Sequence, residues 1–250
     1  MGSLLRRSAS PVVQPIAERP AAVILDMDGV MLDTEPLAAR AWRDAARDLG
    51  IEFDDAVTLR LIGLNFPDCR AMLRAHHGDN YPVDELMRKW HGAYDAITER
   101  EGVTLKPGVM ELLQWLEREG IRKGVATSTR RSRAEAKLAS AGVRGYVSVL
   151  VGGDEIARGK PAPDIFIEAA ARLGIEAPHC IVIEDSEPGV RGALAARMTP
   201  IMVPDMQPPS DALLELGPLV LPTLHEVRAH LARLPAPNHV LRGADSTQSP

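Results

Sequence analysis

The chain has 250 residues, enough for one large α/β domain or for a core domain carrying a smaller one. Hydrophobic residues at 45% against 25% charged exclude global disorder, and no apolar run approaches the roughly 20 residues of a membrane helix. A net charge of −5 and only nine Phe, Trp and Tyr residues leave neither a basic face nor a stacking platform for nucleic acid.

Residues 1–20 contain Arg6, Arg7, three serines and three prolines but no apolar core of a secretory signal, so they read as a flexible tail. Short runs of apolar residues follow: Ala22–Leu25, Gly124–Ala126, Val147–Val151, Cys180–Ile183, Ile201–Val203 and Leu219–Leu221. Their lack of alternation suits strands buried on both faces of a parallel sheet. Between the later runs lie helical faces, Val109/Leu112/Leu113/Leu116 ending at Gly120 and Ile165/Ala169/Leu173 ending at Gly174. The rhythm predicts a doubly wound, mostly parallel α/β sheet, Rossmann-like in plan.

About a hundred residues separate the first run from the second. Within them Ala38, Trp42, Ala45 and Leu49 share one helical face, and Val83, Leu86, Trp90, Tyr94 and Ile97 share another behind Pro82. The expectation is a small all-helical cap over residues 37–104, inserted after the first strand into a core of 21–36 and 105–234. It would stand over the sheet edge where α/β ligands bind. Residues 235–250 read as a second flexible tail. Cys69 and Cys180 are far apart without a CxxC, which suggests neither a disulfide nor a thiolate metal site and fits a reducing cytoplasm.

Polar residues end these runs. The first passes into Asp26-Met27-Asp28-Gly29, with Asp33-Thr34 beyond, the second into Thr127-Ser128-Thr129, and the fourth into Glu184-Asp185-Ser186. Ahead of the fourth sits Gly159-Lys160-Pro161-Ala162-Pro163-Asp164. A parallel sheet brings these ends to one edge. Carboxylates so concentrated repel one another unless a cation sits among them, and hard oxygen ligands without His or Cys favour Mg²⁺.

The order D-x-D-G, T-S, K-P-x-P-D, E-D-S resembles the haloacid dehalogenase-like superfamily of phosphohydrolases, in its subgroup of β-phosphoglucomutase-like phosphatases with a helical cap. The resemblance spans residues 21–206. It implies Mg²⁺-dependent hydrolysis of a small phosphomonoester such as a sugar phosphate, with Asp26 as the nucleophile and an aspartyl-phosphate intermediate. It implies Asp28 as the acid–base, raised in pKa by burial and neighbouring carboxylates so that it is protonated near neutrality. It also implies Thr127, Ser128 and Lys160 on the substrate phosphate, and Asp26, Asp28, Asp185 and Glu184 around the metal. No nucleic-acid or membrane partner is implied, and a monomer is the default.

The alternatives are weighed on the same residues. A true dehalogenase lacks the second Asp, and an interaction-only relative loses Asp26, Asp28, Lys160 or Asp185, all of which are here. A mutase of the subgroup has a histidine shortly after the Asp-Thr pair, where Leu37, Ala38 and Ala39 offer no imidazole. Arg197 stands where relatives carry Gly, so a local backbone change is expected there. Asn65 stands where relatives often carry Arg for a second phosphate. His76 and His77, adjacent on a helix, point to different sides and read as no metal pair, Arg130, Arg131 and Arg133 read as an exposed helix face, and Trp42, Trp90 and Trp115 as packing residues.

Overall fold

The computed structural model of the chain describes residues 15–236, with a six-stranded parallel sheet at its centre. The strands are β1 (Ala22–Leu25), β2 (Arg122–Ala126), β3 (Val149–Val151), β4 (Cys180–Glu184), β5 (Thr199–Met202) and β6 (Leu219–Val220), in the spatial order β3-β2-β1-β4-β5-β6. All six apolar runs are strands, displaced by up to two residues at their ends. Chain direction across the sheet reverses between β1 and β4, the place where open α/β sheets form a crevice at their strand ends.

All four residues of β1 are buried, and its alternating side chains feed two different cores. Val23 and Leu25 pack with α5 (Val109–Arg118), α6 (Arg131–Ser140) and α10 (Leu224–Arg233). Ala22 and Ile24 pack with α7 (Asp164–Leu173) and α8 (Glu187–Ala195). Each Leu or Ile withdrawn from water this way contributes about 1.5–3 kcal/mol, which is why β1 carries no polar residue before Asp26.

Four helices lie between β1 and α5: α1 (Glu35–Leu49), α2 (Asp55–Leu61), α3 (Phe66–His77) and α4 (Val83–Glu101). Pro36 stands in the first turn of α1, where its missing N–H and fixed φ suit a helix start. The helices enclose an apolar cluster of their own, where Trp42 stacks on Phe53 at 5.6 Å and on Trp90 at 5.0 Å. A short α9 (Asp211–Leu214) precedes β6.

Much of the two expected tails, residues 1–14 and 237–250, lies outside the described residues. Where described, the chain ends are joined: Arg19 donates from Nε to Leu234 O at 3.0 Å and from its main-chain N to Pro235 O at 2.9 Å.

Arg197 does not relax its turn. It keeps the left-handed conformation at φ 62°, with Arg197 N bonded to Leu194 O and Met198 N to Ala193 O to close α8. These closing bonds outweigh the Cβ clash of a left-handed Arg, so the expected backbone change does not occur. Arg197→Gly should therefore stabilise the protein by about 1 kcal/mol, raising Tm by about 2–4 °C in a thermal melt.

Candidate active site

The register of the sheet sets the site. Leu25 of β1 is level with Val125 and Ile183, so the next residues, Asp26, Ala126 and Glu184, emerge side by side. Lys160, from the loop before α7, reaches beneath them. Its Nζ donates to Asp26 Oδ1 and Glu184 Oε1, each at 2.5 Å, and to Ala126 O at 3.4 Å. The three charged residues are 2%, 6% and 0% exposed for Lys160, Asp26 and Glu184, so this is a desolvated triad that stands only while its charges compensate. Lys160 is held well above the usual lysine range because the two carboxylates outweigh its burial.

The remaining oxygen of Glu184 is committed as well. Oε2 accepts from Asp185 N at 3.1 Å, Ser186 N at 3.1 Å and Ser186 Oγ at 2.9 Å. The sequence reading places Glu184 among the metal ligands, whereas its carboxylate is taken up by Lys160 and by the turn that follows β4.

Asp185 and the Asp28-Gly29 turn close the other side of Asp26. A Cβ on Gly29, at φ +82°, would lie 2.2 Å from Asp185 Oδ2, so only glycine lets this turn rest against the carboxylate. Burial pushes the Asp26 carboxyl up, Lys160 draws it back, and the like charges of Glu184 and Asp28 leave it at about 7. Burial together with Glu184 and Asp26 holds Asp185 well above the carboxylate range. Like charges crowded this way are the electrostatic signature of a cation site. Among the described residues, no three or more His, Cys, Asp or Glu side chains close a metal cage. The carboxylates of Asp26 and Asp185 are hard oxygen donors of the kind Mg²⁺ takes, completing its shell with other oxygens.

Asp28 differs from the expectation of a raised pKa. Burial alone would raise it, but the Lys137 ammonium, 2.7 Å from Oδ1, and two threonine hydroxyls together outweigh that penalty. Thr34 Oγ1 donates to Oδ1 at 2.8 Å and Thr129 Oγ1 to Oδ2 at 2.7 Å, and the carboxyl lies below its ordinary range. Lys137 also stands 4.8 Å above the ring of Tyr94 from α4.

Sequence reasoning missed Lys137, Thr34, Thr129 and Glu35. The available signal for Lys137 was its place beside Ala134 and Leu138, the two buried residues of α6. Glu35 opens α1, and burial followed by the charges of Asp28 and Asp205 pushes its pKa up to about 8.

Thr127 is buried with Oγ1 at 3.5 Å from Asp28 Oδ2, and it accepts from Thr129 N at 3.1 Å. Its hydroxyl organises the turn after β2 and does not cap α6, whose N-cap is Arg130. Ser128 Oγ donates to Gly63 O at 3.0 Å, which ties the turn to the four-helix segment. Gly63 is itself pressed on the sheet edge, since a Cβ there would lie 2.5 Å from Ser186 Oγ. Asn65 accepts from Asp68 N at 2.9 Å as the N-cap of α3.

A cavity of about 240 Å³ lies between the sheet edge and these helices. Asp26, Asp28 and Thr127 form its floor, while Trp42, Phe66 and Trp90 belong to its wall. The tryptophans of this wall thus pack and also face the cavity, whereas Trp115 is confined to the sheet's core. Arg130 and Arg133 line the cavity too, beyond the exposed face expected of them, and Arg133 pairs with Asp95 of α4 at 2.6 Å. His77 stacks on Tyr81 at 3.9 Å and meets His76 edge-on at 4.6 Å, no arrangement for sharing a metal. Among the described residues, no helix is long and apolar enough to cross a membrane.

The haloacid dehalogenase-like hydrolase family profile matches residues 20–197, from the residues before β1 through the left-handed turn after α8. The chain belongs to the haloacid dehalogenase-like hydrolases. It is 32% identical over 187 residues to the fructose-1-phosphate phosphatase YqaB of Escherichia coli K12, covering 74% of this chain and 97% of that protein. It is 33% identical over 214 residues to the β-phosphoglucomutase of Bacillus subtilis, covering 82% and 94%. It spans 56% of the longer bifunctional riboflavin kinase/FMN phosphatase of Arabidopsis thaliana, at 29% identity. A solved HAD family hydrolase from Deinococcus radiodurans, with bound phosphate and sodium, superposes with a TM-score of 0.67 at 31% identity, covering 86% of this chain and 96% of that one. The fold expected from the apolar runs is that of the family.

Proposed function

We propose that this hydrolase is a Mg²⁺-dependent phosphatase that hydrolyses a small phosphomonoester, a sugar phosphate or similar, through an aspartyl-phosphate on Asp26. The observation that carries the reading is the setting of Asp26: one carboxylate oxygen bound to Lys160, the residue itself on the floor of a cavity closed by the four helices. Those helices, residues 37–104 in the sequence reading, act as the cap that shuts water away from the reacting phosphate.

Asp26, Asp185 and the main-chain carbonyl of Asp28 would hold Mg²⁺, which when bound offsets the repulsion between carboxylate and phosphate dianion. Lys160 draws the raised pKa of Asp26 back down and adds positive charge behind the phosphoryl group. Thr127 and the main-chain N–H groups of the turn at Ser128 bind the phosphate oxygens, and Glu184 positions Lys160. Asp28 protonates the leaving alcohol and then draws a proton from the attacking water. Held ionised by Lys137 in the free enzyme, Asp28 must gain its proton in the complex, where the substrate's negative charge raises its proton affinity.

Water is the acceptor because the segment after Thr34 presents Ala38 to the cavity, with no imidazole to hold the acid–base group back for a sugar hydroxyl. The test is release of inorganic phosphate from a panel of phosphomonoesters. Turnover is expected with Mg²⁺ and should disappear in excess chelator. Full turnover in chelator would overturn the metal assignment. Glucose 6-phosphate forming faster than phosphate, from β-glucose 1-phosphate with a trace of the 1,6-bisphosphate, would make the enzyme a mutase.

A further inference from the structure

The reaction proposed above leaves two carboxyls of the cavity unused, and of these Asp154 already accepts from Arg131 N at 2.8 Å. Glu35 follows Thr34, whose hydroxyl is bonded to Asp28, so its side chain enters the cavity near the group that serves the leaving oxygen. Among the described residues it makes no hydrogen bond or ion pair. Three more residues of the same wall carry buried polar atoms without a hydrogen-bond partner: Thr58 Oγ1, His91 Nδ1 and the Tyr94 hydroxyl. Unpaired buried polar atoms are costly, and natural structures keep few of them. These three residues and Glu35, facing one cavity amid the apolar surfaces of Trp42, Leu61 and Phe66, mark where a ligand supplies the missing partners.

We propose that Glu35 is a specificity-determining residue whose carboxyl binds a hydroxyl of the leaving group close to the ester oxygen, with Thr58, His91 and Tyr94 receiving hydroxyls further along. This rests on the phosphatase reading of the site. Burial and the like charges around Glu35 keep its carboxyl protonated at neutral pH, so it both donates to and accepts from a hydroxyl. A site built to bond a hydroxyl rejects the analogue lacking it far more strongly than an apolar wall rejects an extra group.

The test is calorimetric binding, with Mg²⁺ present, of two phosphonates that cannot be hydrolysed: 3,4-dihydroxybutylphosphonate and butylphosphonate. The wild type is expected to bind the diol at least about tenfold more tightly, a margin well inside what hydroxyl recognition supplies. Glu35→Ala should cut the ratio below about threefold, and Glu35→Gln, which also donates and accepts, should keep most of it. If the alanine variant does not fold, the length-matched Glu35→Met takes its place. Equal binding of the two by the wild type, or an undiminished preference in the alanine or methionine variant, overturns the assignment. Wild-type turnover of p-nitrophenyl phosphate is measured alongside. A diol preference without turnover would break the phosphatase reading and leave Glu35 as a hydroxyl-binding residue. Turnover without the preference would do the reverse.

Discussion

Asp26→Asn is expected to abolish turnover on every substrate, by at least about 10⁴-fold, because the amide cannot attack phosphorus. No phosphoenzyme should accumulate in acid-quenched samples examined by intact-protein mass spectrometry. Asp28→Asn should fail differently. It keeps the nucleophile but removes the proton donor, so the loss should reach about 10²–10⁴-fold on alkyl phosphates, whose alcohols leave badly unprotonated. On p-nitrophenyl phosphate the loss should be far smaller, because that leaving group needs no proton. The variant has a structural cost too: Lys137, 2.7 Å from Asp28 Oδ1, loses its counter-charge while Thr34 and Thr129 keep a polar partner. A melting curve beside the kinetics separates the two effects. Equal losses on alkyl and nitrophenyl substrates would contradict separate roles for the two aspartates.

Lys160→Met is expected to damage the fold as well as the chemistry. The substitution preserves length and apolar bulk but leaves Asp26 and Glu184 without the ammonium each meets at 2.5 Å. Removing one partner of a buried ion pair typically costs about 3–5 kcal/mol, because the surviving charge cannot reach water. In a chain of this size that lowers Tm by roughly 10 °C. Adding Glu184→Gln should recover part of the loss, since it removes one of the two stranded charges and its amide can still bond the turn at Ser186. Turnover should not recover in the double variant, as Asp26 still lacks the ammonium that draws its pKa down. A Tm within about 2 °C of wild type in the single variant would show that water reaches the triad.

The contrast between these two carboxylate neighbourhoods shows where reading a sequence succeeds. Asp26, Asp185 and Lys160 were legible because each follows an apolar run or lies in a short proline-bounded loop, and a parallel sheet must bring such ends to one edge. The partners were not. Lys137 is 109 residues from Asp28 and reads as one more surface lysine on a helix rich in Arg and Lys. Glu184 reads as one more acid beside Asp185, and nothing local says that Lys160, 24 residues earlier, takes its carboxylate.

By itself, then, the sequence determined the sheet and the residues that its strand ends bring to the site. Strands buried on both faces must be continuously apolar, and the first polar residue after each must lie where the sheet ends. The proton states and pairings were decided by tertiary structure alone. Asp28 is ionised and Asp26 is pushed towards neutrality although both end the same strand, because one faces Lys137, Thr34 and Thr129 while the other is buried beside Glu184. Burial and the distance to a counter-charge set a carboxyl's affinity for its proton, and both depend on how α1, α4 and α6 pack over the strand ends.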